Sequence, residues 1–401
     1  MKVTYFLNRF PVISETFVID QICGLIDRGV DIEIISIVKG DYKNLHAKVV
    51  SYGLDKKTTY LAEYSTSKFF SRLSSIGLDL FNFRVIKFFN AFKYGDVAKN
   101  LILPLAAKKI KDTKADFVIA HFGTAGVTAM KIQKAGIFSG KLIPVFHGAD
   151  ISKKKTLIRL HKDYQDLFEY SFKIISISDL WQKKLIELGA LPEKIVVNRM
   201  GIDLNKFNME MGNKVINEPV NIVSVARMVE KKGLDDAINA MKLLANSSLK
   251  FTYNLVGGGP LETNLRKLVA ELEIEEMVTF HGVMNQEEVN TALAGADVFL
   301  LPSKTAQDGD MEGIPVVLME SMAKGIVTVS TFHSGIPELI ENQISGFLVN
   351  EAAPQEIANV ILMLVNSDIN CIAIREHGRR VIAEKFNQEL IYDQLFTLLN
   401  E

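Results

Sequence analysis

Met311-Glu312-Gly313-Ile314-Pro315-Val316-Val317-Leu318-Met319-Glu320 sets two carboxylates eight positions apart around a Gly-Ile-Pro turn. The apolar run Asp297-Val298-Phe299-Leu300-Leu301 before it reads as a buried strand. Pro315 suits a first helical turn, where its missing N–H costs nothing. The spacing therefore predicts strand, loop and helix, with Glu312 just before the helix and Glu320 inside it. N–H groups at a helix start favour a phosphate, whereas carboxylates nearby repel one and suit neutral hydroxyls. A ligand that is part sugar and part phosphate satisfies both. An ordinary capped helix with exposed acids would carry the same residues, so the rest of the chain has to decide.

The same rhythm runs through both halves. Short apolar runs at 3–7, 32–36, 117–120, 142–146 and 173–177, then at 222–226, 252–256, 278–281, 298–301 and 326–330, alternate with amphipathic stretches. This is the pattern of parallel strands joined by helical crossovers, an α/β chain of two doubly wound domains. The weakest patterning, at 198–219, is the expected linker. A length of 401 residues fits two cores better than one.

A formal net charge of -1 argues against a broad basic surface for nucleic acid. Cys23 and Cys371, the only cysteines, lie far apart and without metal-ligand spacing, which fits a reducing cytoplasm. Asn8, Arg9 and Pro11 interrupt the first apolar run too early for a signal peptide, and no segment has the ~20 apolar residues of a spanning helix. Phe69 to Tyr94 departs from the rhythm, with seven phenylalanines interleaved with Arg72, Arg84, Lys87 and Lys93. It reads as a helical insertion able to rest on anionic lipid at the inner face of a membrane, although such stripes more often belong to a core. Lys153-Lys154-Lys155 reads as a solvated face.

Several loops could carry chemistry. Residues 8–16 join the first strand to a helix with Ser14 as its N-cap; Arg9, Ser14 and Glu15 would stand where the crevice of an open sheet lies, beyond the strand ends. His121 and His147 each follow a strand, and Gly148 and Asp150 follow His147. A histidine there can hydrogen-bond a sugar hydroxyl or merely support the fold. Arg227 and Lys232 follow the strand at 222–226, and two such cations can clamp a diphosphate and neutralise the charge of a leaving group. Val256-Gly257-Gly258-Gly259-Pro260 lacks both the third spaced glycine of a dinucleotide fingerprint and the Gly-Lys-Ser/Thr of a P-loop. It remains a tight turn that lets backbone approach a ligand. Asp308-Gly309-Asp310 lacks a companion ligand and is a poor Mg²⁺ or Mn²⁺ site, so no metal is expected.

Taken together, these segments resemble the retaining, nucleotide-sugar-dependent glycosyltransferases of family four, whose GT-B architecture sets two Rossmann-like domains around a cleft. The resemblance covers nearly the whole chain. Its most specific part is the spacing of Glu312 and Glu320, supported by Ala226-Arg227 through Lys232-Gly233, Gly257-Gly258-Gly259-Pro260-Leu261 and Ser334-Gly335-Ile336-Pro337-Glu338. Phe10-Pro11-Val12-Ile13-Ser14-Glu15-Thr16-Phe17, with residues 305–313, is similar to enzymes that make bacterial exopolysaccharides of the colanic acid and amylovoran type. One departure is Ile13-Ser14-Glu15, where many relatives carry a Gly-Gly pair.

The resemblance implies an acceptor-binding domain at 1–197, a donor-binding domain at 198–384, and a terminal segment at about 385–401 packed back onto the first. Arg227 and Lys232 would hold the donor diphosphate, Glu320 the ribose, and backbone near Val283 the base. Glu312 with the backbone of Gly313, Ile314, Pro315 and Val316 would hold the transferred sugar, and His121 and His147 would line the cleft. Arg9, Ser14, Glu15 and Asp150 are the candidate acceptor or phosphate loop. Retention in this fold is commonly described as front-face attack in which the leaving phosphate takes the acceptor's proton, so Glu312 positions sugar and is no general base. The implied partners are a nucleoside diphosphate sugar as co-substrate and a lipid-linked oligosaccharide acceptor. Two rivals share these features: a sugar-nucleotide epimerase of the same fold, and a non-catalytic sugar-nucleotide-binding protein.

Overall fold

A computed structural model describes residues 1–12, 15–40, 46–62, 72–73, 76–77, 83–111, 113–207, 216–366 and 369–401. The first sheet comprises β1 (Lys2–Phe10), β2 (Asp31–Lys39), β3 (Thr58–Ala62), β4 (Thr113–His121), β5 (Phe138–Phe146), β6 (Ile174–Ser176) and β7 (Ile195–Val197), in the order β3-β2-β1-β4-β5-β6-β7. The second comprises β8 (Val220–Val225), β9 (Phe251–Val256), β10 (Val278–Gly282), β11 (Val298–Leu300), β12 (Val327–Thr331) and β13 (Phe347–Val349), in the order β10-β9-β8-β11-β12-β13. Every pairing between these strands is parallel. Two parallel sheets flanked by helices are the GT-B form of the α/β class.

Side-chain alternation decides which face each strand buries. On β11, Val298 and Leu300 enter one core with Ile222, Leu255 and Val329, whereas Phe299 and Leu301 enter the opposite core with Leu318, Met319 and Met322. Both faces of this sheet are therefore covered, as a parallel sheet requires. The apolar runs read from sequence correspond to β1, β2, β4, β5, β6, β8, β9, β10, β11 and β12. The strands not anticipated are β3, β7 and β13, all at sheet edges, where β7 and β13 have only three residues each.

Between the sheets, residues 208–215 of the expected linker lie outside the described residues. Ile202 runs beside Asn387, its N–H donating to Phe386 O at 2.9 Å and its carbonyl accepting from Gln388 N at 3.0 Å. The chain thus passes back here, Ile382 and Phe386 packing in the second domain and Leu395, Leu398 and Leu399 in the first. The helix Gln388–Leu399 is held by Arg28, which reaches Asp393 at 2.8 Å and Glu389 at 3.0 Å. A Cβ on Gly24 would fall 2.2 Å from the Tyr392 ring, so Gly24→Ala should cost about 1–3 kcal/mol of packing.

Much of the Phe69–Tyr94 insertion lies outside the described residues. In its described part Phe88 is buried with its ring 5.5 Å from Tyr94, while Phe92 is fully exposed. No described helix is long and apolar enough to cross a membrane.

Candidate functional site

In both sheets the strand order reverses at one place, between β1 and β4 in the first and between β8 and β11 in the second. Loops diverge there, and ligands of open parallel sheets bind in the crevice beyond those carboxyl ends. The two crevices face each other. A Cβ on Gly148, which follows β5, would lie 3.2 Å from Glu312 O; one on Gly313 would lie 3.3 Å from His147 O and 2.6 Å from Ile177. Gly148, at φ 109, adopts backbone that L side chains avoid. Small residues on both lips let the backbones of His147-Gly148 and Glu312-Gly313 come together.

Glu312 is buried at 7% exposure, yet charged groups surround it. Its Oε2 lies 3.2 Å from Lys232 Nζ and its Oε1 3.4 Å from Lys231 Nζ. Burial alone would raise the Glu312 pKa; the two ammonium groups outweigh it and hold the carboxyl below its ordinary range. Its backbone is fixed as well. Glu312 N–H donates to His333 Nε2 at 3.1 Å, and Ser334 Oγ donates to Glu312 O at 2.7 Å. Because His333 Nε2 accepts, its proton sits on Nδ1, which donates to Glu351 Oε1 at 2.5 Å.

Lys231 and His333 were not singled out from sequence. Their signals in the sequence are the Lys231-Lys232 pair and a histidine directly before the Ser334-Gly335 motif. Gly233 takes φ 63 at the end of the Glu230–Lys232 turn, and a Cβ there would meet Pro302 O at 1.9 Å. That close approach presses the lysine turn against the loop after β11. Arg227 is exposed at the end of β8; its carbonyl accepts from Val229 N at 2.8 Å, and its side chain makes no hydrogen bond or ion pair among the described residues. The glycine loop packs on this same turn. A Cβ on Gly257 would lie 2.0 Å from Ala226 O and one on Gly259 2.6 Å from Met228 O. These glycines are therefore required by the chain's own backbone rather than by approach to a ligand.

Pro315 precedes the helix Val316–Ala323 as its N-cap, one position earlier than a first-turn proline. Glu320 on that helix lines a cavity of about 140 Å³ with Val316, Gln286, Asn290, Lys206 and, from the first domain, Thr16 and Phe17. Burial raises its pKa to about 7, against the lowering effect of a hydrogen bond from Gln286 and the charges of Lys324 and Lys206. Ile314 is buried at 5%, and Val283, after β10, is 85% exposed with its Cγ2 3.2 Å from where a Gly258 Cβ would lie.

From the first domain, His121 and His147 come into direct contact, Nδ1 of one 2.9 Å from Nε2 of the other. Burial drops the His121 pKa to about 3, and burial together with the neighbouring ring drops His147 well below its ordinary value. The pair is neutral. His121 Nε2 lies 2.9 Å from Gln21 Oε1, a residue that no motif marked. Asp150 is buried and turned inward: Oδ2 accepts from Gly123 N at 2.7 Å and Oδ1 from His147 N at 3.0 Å. Burial raises its pKa to about 6 despite these bonds. Its carboxylate thus ties the loop after β4 to the loop after β5. Arg9 is exposed; Glu15 is partly buried, and burial raises its pKa to about 7 against the charge of Arg9. Ser14 lies outside the described residues.

Asp310 is engaged by two lysines, Lys231 at 3.2 Å and Lys153 at 3.1 Å. Lys154 N–H donates to Asp308 O at 3.1 Å and Met311 N–H to Ser152 Oγ at 3.1 Å. The start of the Lys153–Lys155 tract is therefore an interdomain contact, which corrects its reading as a solvated face: an acidic loop of the second domain sits on it. Among the described residues no cluster of three or more His, Cys, Asp or Glu side chains could hold a metal.

Residues 208–381 match the family of glycosyl transferases group 1. Over its full length the chain is 42% identical to the amylovoran biosynthesis glycosyltransferase AmsK of Erwinia amylovora, covering 99% of that protein. It is also 42% identical, with the same coverage, to the putative colanic acid biosynthesis glycosyltransferase WcaL of Salmonella typhimurium. Among solved structures, HepE from Anabaena in complex with UDP superposes with a TM-score of 0.74 at 18% identity, each chain covered in full. Sucrose-phosphate synthase from Thermosynechococcus elongatus gives 0.73 at 16% identity, covering 100% of this chain and 98% of that one.

Proposed function

Because the chain belongs to the glycosyl transferases of group 1 and is an exopolysaccharide-type glycosyltransferase, we propose that it moves a hexose from a nucleoside diphosphate sugar to a lipid-linked oligosaccharide. In this reading the reaction retains anomeric configuration, needs no metal and takes place at the inner face of the membrane. The observation that carries it is Glu312 buried between Lys231 and Lys232 at a strand-order reversal, with the neutral histidine pair on the opposite lip. HepE, described in complex with UDP and with UDP-glucose, supports a nucleotide sugar as donor.

Lys232 and the exposed Arg227 take the diphosphate and neutralise the charge that grows as the glycosidic bond breaks. Release of Lys232 from Glu312 leaves that carboxylate to accept hydrogen bonds from the transferred sugar, beside the Gly313–Val316 backbone. Glu320 accepts from the ribose hydroxyls, and the base lies over Val283. A neutral His147 cannot protonate a leaving group at working pH. The leaving phosphate therefore takes the acceptor's proton, and the histidines orient hydroxyls. Closure of Gly148 onto Glu312 excludes water that would hydrolyse the donor.

A thermal-shift panel of UDP-, GDP- and ADP-sugars with their free diphosphates tests the donor site without knowledge of the acceptor. Selective stabilisation by one nucleotide is expected and names its base. No response from any member would count against a donor site in this crevice. Donor turnover into an epimer without acceptor would assign the site to the epimerase class instead.

A further inference from the structure

We propose that Gln21 sets the tautomer of the His121–His147 pair, so that His147 presents a bare Nδ1 that a sugar hydroxyl satisfies and the esterified diphosphate of a sugar nucleotide does not. Gln21 lies on the helix Thr16–Asp27, and its Oε1 accepts from Tyr5 OH at 3.0 Å while lying 2.9 Å from His121 Nε2. An amide oxygen only accepts, so His121 carries its proton on Nε2. A neutral imidazole has one N–H, which leaves His121 Nδ1 bare. That atom takes the Nε2–H of His147 at 2.9 Å. His147 has then spent its own proton, and its Nδ1 is left as an acceptor. This nitrogen is buried and has no hydrogen-bond partner among the described residues.

The surroundings keep the relay neutral and in line. Tyr5 stacks on His121 at 5.8 Å and 13°, and His121 on His147 at 5.1 Å and 23°. Phe17 and Phe122 close on the His147 ring at 4.9 and 4.6 Å. Such rings offer no donor to the bare nitrogen, and a buried acceptor without a donor marks a place where a ligand group completes the site. Its partner must bring an O–H, which sugars have and the ionised, fully esterified diphosphate of a sugar nucleotide lacks. The ligand half of the inference rests on the sugar-transfer reading; the tautomer half does not.

Long-range ¹H–¹⁵N correlation on the full-length protein labelled at histidine nitrogens, at pH 7, reads the tautomers directly. Both rings are expected to show Nε2–H with bare Nδ1, with His121→Asn identifying the signals. A proton on Nδ1 of either ring would overturn the assignment. Gln21→Met removes the acceptor: mixed tautomers and an about tenfold fall in transfer kcat are expected, with UDP binding unchanged. Gln21→Glu keeps the acceptor and should keep both tautomers. Unchanged tautomers in Gln21→Met would exclude Gln21 as their cause. With UDP-glucose and UDP as probes, a shift at His147 Nδ1 from the sugar nucleotide alone assigns the hydroxyl to the donor. A shift that needs added acceptor sugar assigns it to the acceptor, and one produced by dimethyl phosphate, an ionised diester without an O–H, overturns the ligand half. The stated tautomers in a protein that turns over no donor would support Gln21's role and count only against sugar transfer.

Discussion

Lys232 Nζ stands 3.2 Å from Glu312 Oε2, and Lys231 Nζ stands 3.4 Å from Glu312 Oε1, so one buried carboxylate is shared by two ammonium groups. Removing both cations strands a buried charge. We expect Lys231→Ala/Lys232→Ala to lose about 3–5 kcal/mol of stability at pH 7, the usual cost of breaking a buried pair from one side. Adding Glu312→Gln should restore much of it. Because the Glu312 pKa is lowered on folding, this contribution is present above its ordinary carboxylate range and fades as pH falls through the lowered value. Urea denaturation of the four combinations decides the point; a triple variant no more stable than the double would remove the case for pairing.

Glu320 supplies a separate handle on the donor. With its pKa raised to about 7, its carboxyl is half ionised at neutrality. The proposed ribose contact needs the ionised form, so affinity for the free nucleoside diphosphate should climb as pH rises through about 7. Glu320→Gln should flatten that climb. Glu312→Ala, by contrast, should lower transfer far more than it weakens binding of the free diphosphate. Calorimetric titrations at several pH values separate the two, and equal losses of diphosphate affinity would end this division of labour.

What could be read from the chain follows from how local each signal is. Central strands such as β1 and β11 announced themselves because both faces are buried and their apolar runs are unbroken. Edge strands β3 and β7 did not, since they are only partly buried and no long apolar run marks them. At the site, the spacing of Glu312 and Glu320 was legible as strand, loop and helix. That Lys231 reaches Glu312 as well as Asp310 depends on the turn before Gly233 and its seat against Pro302, which no spacing encodes. Gln21 is one of several polar residues on the helix Thr16–Asp27, and only the folded neighbourhood of His121 shows its use. Asp150 illustrates the reverse: a carboxylate in a candidate loop proves to be buried against two backbone N–H groups.

The Asp308-Gly309-Asp310 loop offers a test of metal independence. Asp310 is already committed to Lys153 and Lys231, and Asp308 Oδ1 accepts from Asp310 N at 2.9 Å. A divalent ion would have to displace both lysines. Transfer measured in excess chelator should therefore keep its rate, and Asp310→Asn should act by loosening the contacts with Lys153 and Lys231, lowering the rate about two- to fivefold. A full loss in chelator that Mn²⁺ restores would make the loop a metal site after all.

The neutral histidine pair should leave a mark on acid stability. His121 titrates at about 3 when folded and near 6.5 when unfolded, so between these values the unfolded chain binds the extra proton. Stability therefore rises with pH across that window, by at most about 1.4 kcal/mol per pH unit for this one residue. Glu15, Asp150 and Glu320 oppose it. Their raised pKa values make the folded chain the better proton binder between the ordinary carboxylate range and about 6–7, where their contribution falls as pH rises. These slopes of opposite sign overlap, and the histidine has to be isolated by difference. His121→Asn should be most destabilised relative to the parent at pH 7. The gap should narrow as pH drops from 6.5 towards 4, because only the parent then loses a neutral buried imidazole's advantage. Denaturant midpoints at half-unit pH steps measure that gap, and a constant difference would show that the imidazole charges in the folded protein.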